Sequence, residues 1–413
     1  MDSLFTLIDE NHKGMGSVSV FHDGKEVYQN TIGFVDIENE IKTNGETKYR
    51  IGSISKTFTA TIIMQLVEEK KLKLDTKLRK FFPDVPNAKK ITIEQLLRHR
   101  SGLFNFTSSP DYTQWMEEPK SRDELLAIIE ENGNVFEPGE TAGYSNTNYV
   151  LLSFIAEDIE GKPFAEILQE RIAKPCGLKN TFYGGKIDTD MNEAESYTRK
   201  SEWEEATETD MSVPIGAGAI ISTPTDLNRF YTCLFFFFFV SDKSLDEMMR
   251  IEDDFGIGMF TFPFHEKTAY GHNGGIDGFQ STAGYFPNEN VSVAYMGNAV
   301  TMPVNDIMIG VLSIYFGVEY ELPDFKPAMK ISTEELEPYP GLYTSPDLPI
   351  DLTISIDGNT LMGQGTGQPA FPLEPYEKNK FRFDQAGLTI EFVPEENKLI
   401  LTQGGKSYDM TRE

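Results

Sequence analysis

Apolar and polar positions alternate near the start of the chain. Ser17-Val-Ser-Val-Phe21 reads as a strand, His22-Asp23-Gly24 as a turn and Glu26-Val-Tyr28 as the returning strand, so the spacing predicts a β-hairpin. The pattern then turns helical. An apolar run from Phe58 to Leu66 predicts a buried helix. Thr92-Ile-Glu-Gln95 is a capping box before Leu96-Leu97, and Ser121-Arg-Asp-Glu124 is another, whose helix ends at Asn132-Gly133. Thr223-Pro224-Thr-Asp226 supplies an N-cap, a proline at the first helical position and an acidic third residue ahead of Leu227. After Gly271 the period-two pattern returns, from Gln280 to Phe286, a turn at Pro287-Asn288, then Val291 to Met296. Strands at both ends of a long helical middle predict one antiparallel sheet built from both ends, in the α/β (α+β) class.

Pro323, Pro327, Pro338 and Pro340 mark a shift in composition around a short acidic helix expected at Thr333 to Leu336. Beyond it run short alternating segments with turns: Leu352 to Ile356, Asp357-Gly358, Phe381 to Phe383, Leu388 to Phe392 and Lys398 to Leu401. That spacing predicts a small all-β barrel or sandwich. The expected division is residues 1–328 and residues 329–413. Phe235 to Phe239 are five consecutive phenylalanines with no helical or strand period, so some of the rings should be exposed.

Composition narrows the classes of function. The chain has 413 residues, 39% hydrophobic and 25% charged, as in an ordinary globular protein of two domains. Its net charge of −28 argues against a nucleic-acid partner. The acidic excess is spread along the chain as a solvated surface. Cys176 and Cys233 are the only cysteines, too few for a disulfide framework, and the five histidines form no metal-ligand pair, so neither a metal nor a cofactor is expected. No stretch has the roughly 20 apolar residues of a membrane helix, and Met1-Asp2-Ser3 opens no signal peptide. The compartment is left open between cytoplasmic and exported, as is the oligomeric state.

Candidate chemistry centres on Ser53-Ile-Ser-Lys56, the single S-x-x-K of the chain. On a helix these two side chains share a face one turn apart. A serine hydroxyl needs a neighbouring base to become a nucleophile, and a lysine held in a closed pocket can lose its proton and serve as that base. The Ser53 backbone N–H at a helix start favours developing negative charge. Downstream come Pro138-Gly-Glu140, Tyr144-Ser145-Asn146 and Gly271-His272-Asn273-Gly274. Tyr28-Gln-Asn30 and His12-Lys-Gly14 carry the same short spacings, but they precede Ser53 and lack the flanks.

This ordered set resembles the serine β-lactamase and penicillin-recognising enzyme superfamily, and within it the branch of class C β-lactamases, D-alanyl-D-alanine carboxypeptidases, D-aminopeptidases and related esterases. Leu96 to Leu103, Ser145 to Tyr149, Gly216-Ala-Gly218 and Met296-Gly297-Asn298 look like further landmarks. The resemblance spans roughly residues 10 to 320. It implies a β-lactamase-like antiparallel sheet flanked by helices, with an all-helical subdomain. Tyr339-Pro-Gly341-Leu-Tyr343 looks like the start of the lipocalin-like barrel that many such hydrolases carry.

The resemblance implies that Ser53 is acylated, that Lys56 activates it and that Tyr144 shuttles the proton to the leaving group, its phenolate favoured by Lys56. It also implies that Asn146 orients the acyl-side amide and that the N–H groups of Ser53 and Gly275 form the oxyanion hole. His272, Asn273 and Gly274 would line the opposite wall, and His99 would be a scaffold residue. Where class C β-lactamases have Lys-Thr-Gly, this chain has His272-Asn273-Gly274. A histidine is largely neutral at pH 7 and suits a substrate carboxylate less well than lysine. The expected function is therefore a cofactor-free serine hydrolase of amides or esters acting on a small molecule or peptide. The alternatives are a true β-lactamase and a slowly deacylating penicillin-binding or sensor protein. No G-x-S-x-G elbow is present, which excludes an α/β-hydrolase, and Gly363-Gln-Gly365-Thr-Gly367 is no dinucleotide fingerprint.

Overall fold

The computed structural model describes residues 1–199, 202–326, 328–403 and 406–413, so Pro327 of the proline-rich stretch lies outside the described residues. Two compact units result, Leu4–Val300 and Thr301–Glu413. In the first, the alternation at both ends yields one six-stranded antiparallel sheet. Its order is Phe260–Phe264, Lys267–Ile276, Phe279–Phe286, Val291–Val300, Gly14–His22 and Lys25–Ile32. The N-terminal hairpin joins the C-terminal meander through the pairing of Val18 with Tyr295. Capping chemistry is realised where the sequence calls for it. Thr92 and Ser121 each close a reciprocal capping box, and Thr223 accepts from Asp226 N ahead of the Pro224–Phe235 helix.

The helix Ser55–Glu68 is buried nearly all round, and its Phe58 stacks on Phe230 with ring centroids 3.7 Å apart. A helix so enclosed must satisfy its own hydroxyls. Thr57 donates to Gly258 O at 2.6 Å and Thr59 to Gly216 O at 2.7 Å. Ser55 Oγ accepts from Ile220 N at 3.2 Å. These bonds fix the helix that carries the S-x-x-K segment. The sequence treats Cys176 and Cys233 as too few for a framework. The structure joins them as one disulfide, since two segments 57 residues apart bring them together. In the phenylalanine run Phe235 and Phe239 are buried, whereas Phe236, Phe237 and Phe238 are each more than half exposed.

The second unit holds the helix Val304–Phe316 and a closed eight-stranded barrel from Gly341–Thr344 to Lys406–Arg412. Tyr343 pairs with Arg412 to close it. Leu352, Ile354, Leu361, Phe381, Ile390, Phe392, Leu399 and Met410 pack within, so side chains fill the barrel.

Candidate active site

Ser53 lies in a 3₁₀ turn, Gly52–Ile54, which runs directly into the Ser55–Glu68 helix. The sequence reading takes Ser53 and Lys56 as one α-helical turn. The tighter 3₁₀ turn carries Ser53 instead, and the two side chains still meet, with Lys56 Nζ 3.0 Å from Ser53 Oγ. Lys56 is fully buried. Its Nζ also donates to Asn146 Oδ1 at 2.7 Å and to the Ala217 carbonyl at 2.8 Å. Burial holds its pKa well below the ordinary lysine range. A neutral amine has two hydrogens and one lone pair. Asn146 Oδ1 and Ala217 O can only accept, so they take both hydrogens and leave the lone pair facing Ser53 Oγ–H.

Tyr144 reaches the same oxygen from the opposite chain segment, its hydroxyl donating to Ser53 Oγ at 2.7 Å. It precedes the Asn146–Glu160 helix in extended backbone. His99 fixes that segment. Its imidazole stacks on the Tyr144 ring at 4.5 Å, its Nδ1 accepts from Ser145 N at 3.1 Å, and its carbonyl accepts from Gly143 N at 2.8 Å. Asn146 N donates to Asn105 Oδ1 at 2.9 Å, and Asn146 Nδ2 donates to Thr107 Oγ1 at 2.9 Å. The expectation of a phenolate favoured by Lys56 is overturned. Desolvation raises the Tyr144 pKa above its ordinary range, only partly offset by the Ser53 bond, so the resting group is a phenol. Burial disfavours the charged form of Lys56 as well, which weakens the attraction that would reverse this.

The third element is the strand Lys267–Ile276. Glycine is needed at two points for it to approach Ser53. A Cβ on Gly274 would lie 1.9 Å from the Ile51 carbonyl oxygen. Gly52, at φ +50, would carry a Cβ 2.9 Å from Gly275 N. The Ser53 turn and the Gly275 backbone are thus in contact, and Ser281 Oγ seals the junction by donating to Ile51 O at 3.0 Å. His272 is only 3% exposed, packed on Phe260 at 4.4 Å between ring centroids and 6.3 Å from Tyr144. Its Nδ1 lies 2.5 Å from the Asn273 carbonyl, which can only accept, so that nitrogen carries the proton and Nε2 is the acceptor. Burial, then Lys56 when it is charged, press the His272 pKa down to about 3. The Asn273 side chain is exposed.

A cavity of about 300 Å³ opens beside Ser53. Gly52, Ser53, Asn146, Ala217 and Gly275 border it, with Phe106, Tyr112, Met116, Ile276, Thr107, Thr209 and Asp277 as walls. Ser53, Lys56, Tyr144, Asn146 and Gly275 therefore converge. Gly274 acts through its lack of a side chain. His272 sits behind Tyr144 and, like Asn273, lies outside the cavity lining. Sequence reasoning missed the Ala217 carbonyl, Thr107, and the buried pair formed by Arg50 and Asp277. Arg50 stands three residues before Ser53 and Asp277 two after Gly275, and that nearness in sequence is the one signal that could have found them.

Among the described residues no group of histidine, cysteine and carboxylate side chains could hold a metal, and no helix is long and apolar enough to cross a membrane. Comparison with known proteins agrees with the geometry. Residues 4–309 match the Beta-lactamase family. Over its whole length the chain is 25% identical to penicillin-binding protein 4* of Bacillus subtilis (strain 168), covering 98% of that protein. It is 28% identical to the teichoic acid D-alanine hydrolase of Staphylococcus aureus (strain MRSA252), over 65% of this chain and 67% of that one. The solved D-amino acid amidase of Ochrobactrum anthropi SV3, complexed with L-phenylalanine amide, superposes with a TM-score of 0.69 at 27% identity. The match covers 76% of this chain and 98% of that one. The chain belongs to the Beta-lactamase family and is a serine hydrolase of amide or ester bonds.

Proposed function

We propose that Ser53 is the acylated nucleophile and that the substrate is an amide or ester of a small amino acid, in keeping with the relatives named teichoic acid D-alanine hydrolase and D-amino acid amidase. One observation carries the reading: Ser53 Oγ lies 3.0 Å from Lys56 Nζ and 2.7 Å from Tyr144 Oη. The Lys56 lone pair takes the hydroxyl proton as Oγ bonds to the carbonyl carbon. The carbonyl oxygen becomes an oxyanion held by the N–H groups of Ser53 and Gly275. One such donor is typically worth about 3–4 kcal/mol. Tyr144 O–H then protonates the leaving nitrogen or oxygen as its bond to carbon breaks. The proton on Lys56 restores the phenol through the Ser53 position, and water releases the acyl group by the reverse path.

The acyl group would fill the cavity bounded by Phe106, Tyr112, Met116 and Ile276, which suits a small, partly apolar side chain. With His272 neutral and the net charge at −28, the site favours uncharged or cationic substrates over carboxylates such as penicillins. The test is covalent labelling. A fluorophosphonate should leave one adduct on Ser53 by mass spectrometry and none on Ser53→Ala. An adduct at unchanged yield on that variant would overturn the assignment.

A further inference from the structure

Arg50 and Asp277 form an ion pair with both side chains 1% exposed and Arg50 Nη1 2.9 Å from Asp277 Oδ2. The pair links two segments whose separation matters. Arg50 ends the short strand Tyr49–Arg50, and the chain then turns through Gly52 into Ser53. Asp277 follows the strand that carries Gly275, at a backbone φ of +52. A third segment is drawn in. Thr209 donates its N–H at 3.0 Å and its hydroxyl at 2.6 Å to Asp277 Oδ1, while its carbonyl accepts from Arg50 at 2.9 Å. Arg50 is held further by Glu208 at 2.7 Å and the Gly185 carbonyl at 3.0 Å.

We infer that the buried Arg50–Asp277 pair positions the oxyanion hole, holding Gly275 N–H in register with Ser53 N–H. The inference rests on the proposed reading of Ser53 and goes beyond it. The Ser53 turn and the Gly275 strand touch without side chains, since Gly52, Gly274 and Gly275 supply none. Glycine backbone is the most permissive to displacement, so the register needs an anchor from outside the junction. Ser281 anchors the inner side through Ile51 O, and the ion pair anchors the outer side, beyond Gly275. Buried ion pairs are poor stabilisers compared with apolar side chains of equal volume. A bidirectional, directional contact at this place is therefore better explained by geometry than by stability. Arg50 and Asp277 are positioning residues. They act on the reaction through the backbone of Ser53 and Gly275.

Asp277→Asn in the full chain removes the charge and keeps the volume. With p-nitrophenyl acetate, kcat and kcat/KM should fall together by about 10- to 100-fold, less than the loss of a whole oxyanion donor, as expected for a transition-state contact that has been misaligned. Affinity for a boronic acid, whose tetrahedral adduct places an oxygen between the two donors, should fall by the same factor. The double variant Arg50→Met/Asp277→Leu separates positioning from folding. It should regain the thermal midpoint while kcat stays low. Recovery of wild-type kcat in the double variant, or wild-type kcat in folded Asp277→Asn, would overturn the inference. Labelling of Ser53→Ala decides independently whether Ser53 is the nucleophile, so the two claims fail separately.

Discussion

Removing the His272 imidazole should change how stability depends on pH. The group's pKa is about 3 in the folded chain, against 6.5 for free histidine, chiefly because burial penalises the imidazolium. Between those values the unfolded chain binds a proton that the folded chain does not, so stability rises with pH across that window. The contribution is complete above pH 6.5 and is lost as pH falls. The shift of 3.5 units corresponds to a difference on the order of 5 kcal/mol between the two ends of the window. Between pH 5 and 6 an average of about 0.9 proton is bound per unfolded chain at this residue, which gives a slope of about 1.2 kcal/mol per pH unit. Burial presses His99 down in the same direction, so the wild type should show the sum of two such groups. His272→Asn should reduce the slope by about 1.2 kcal/mol per unit, whatever constant offset its smaller volume adds. Urea unfolding read by tryptophan fluorescence suits the purpose, because both tryptophans, Trp115 and Trp203, lie within the Leu4–Val300 unit. A slope in His272→Asn equal to that of the wild type would refute a neutral, desolvated imidazole.

Tyr144→Phe should cut kcat for amino-acid amides by about 100-fold or more, within the range for a general acid, yet spare p-nitrophenyl esters, whose phenolate leaves without a proton; equal losses would refute the assignment. The segment from 318 to 332 holds no helix or strand among its described residues, so limited proteolysis should cut there first and leave a stable N-terminal fragment. Cooperative unfolding of both parts after that cut would argue against separate folding.

Legibility in the sequence followed the range of the forces involved. Capping boxes at Thr92 and Ser121 are local chemistry, and both formed where their spacing put them. The antiparallel sheet could be read from alternation at both ends, although nothing local paired Val18 with Tyr295. The Ser53, Lys56, Tyr144 and Gly275 cluster was legible only as an ordered set of short motifs, because the meeting of three segments is a tertiary fact. The phenolate expectation failed for a related reason. It counted the charge of Lys56 and omitted the desolvation that removes it. The disulfide was missed because 57 residues separate its cysteines and two sulfurs give no spacing pattern.

Desolvation also organises the electrostatics of the site. Lys56, His99 and His272 are three bases in one neighbourhood, each with its pKa lowered first by burial. Were all three protonated, the core beneath Ser53 would be strongly cationic and would draw in carboxylates despite the acidic surface. Burial disfavours the charged form of each, so they do little to oppose the net charge of −28 at short range. Neutrality also assigns the hydrogens. Lys56 gives both of its own to Asn146 and Ala217 and keeps a lone pair for Ser53, while His272 gives its one to Asn273. Among the described residues, the proton donor left pointing at Ser53 Oγ is Tyr144, and Lys56 is the acceptor for that oxygen's own proton. Under the proposed function, the direction of proton flow, from serine to lysine and from tyrosine to the leaving group, is the one that this burial favours before any substrate is bound.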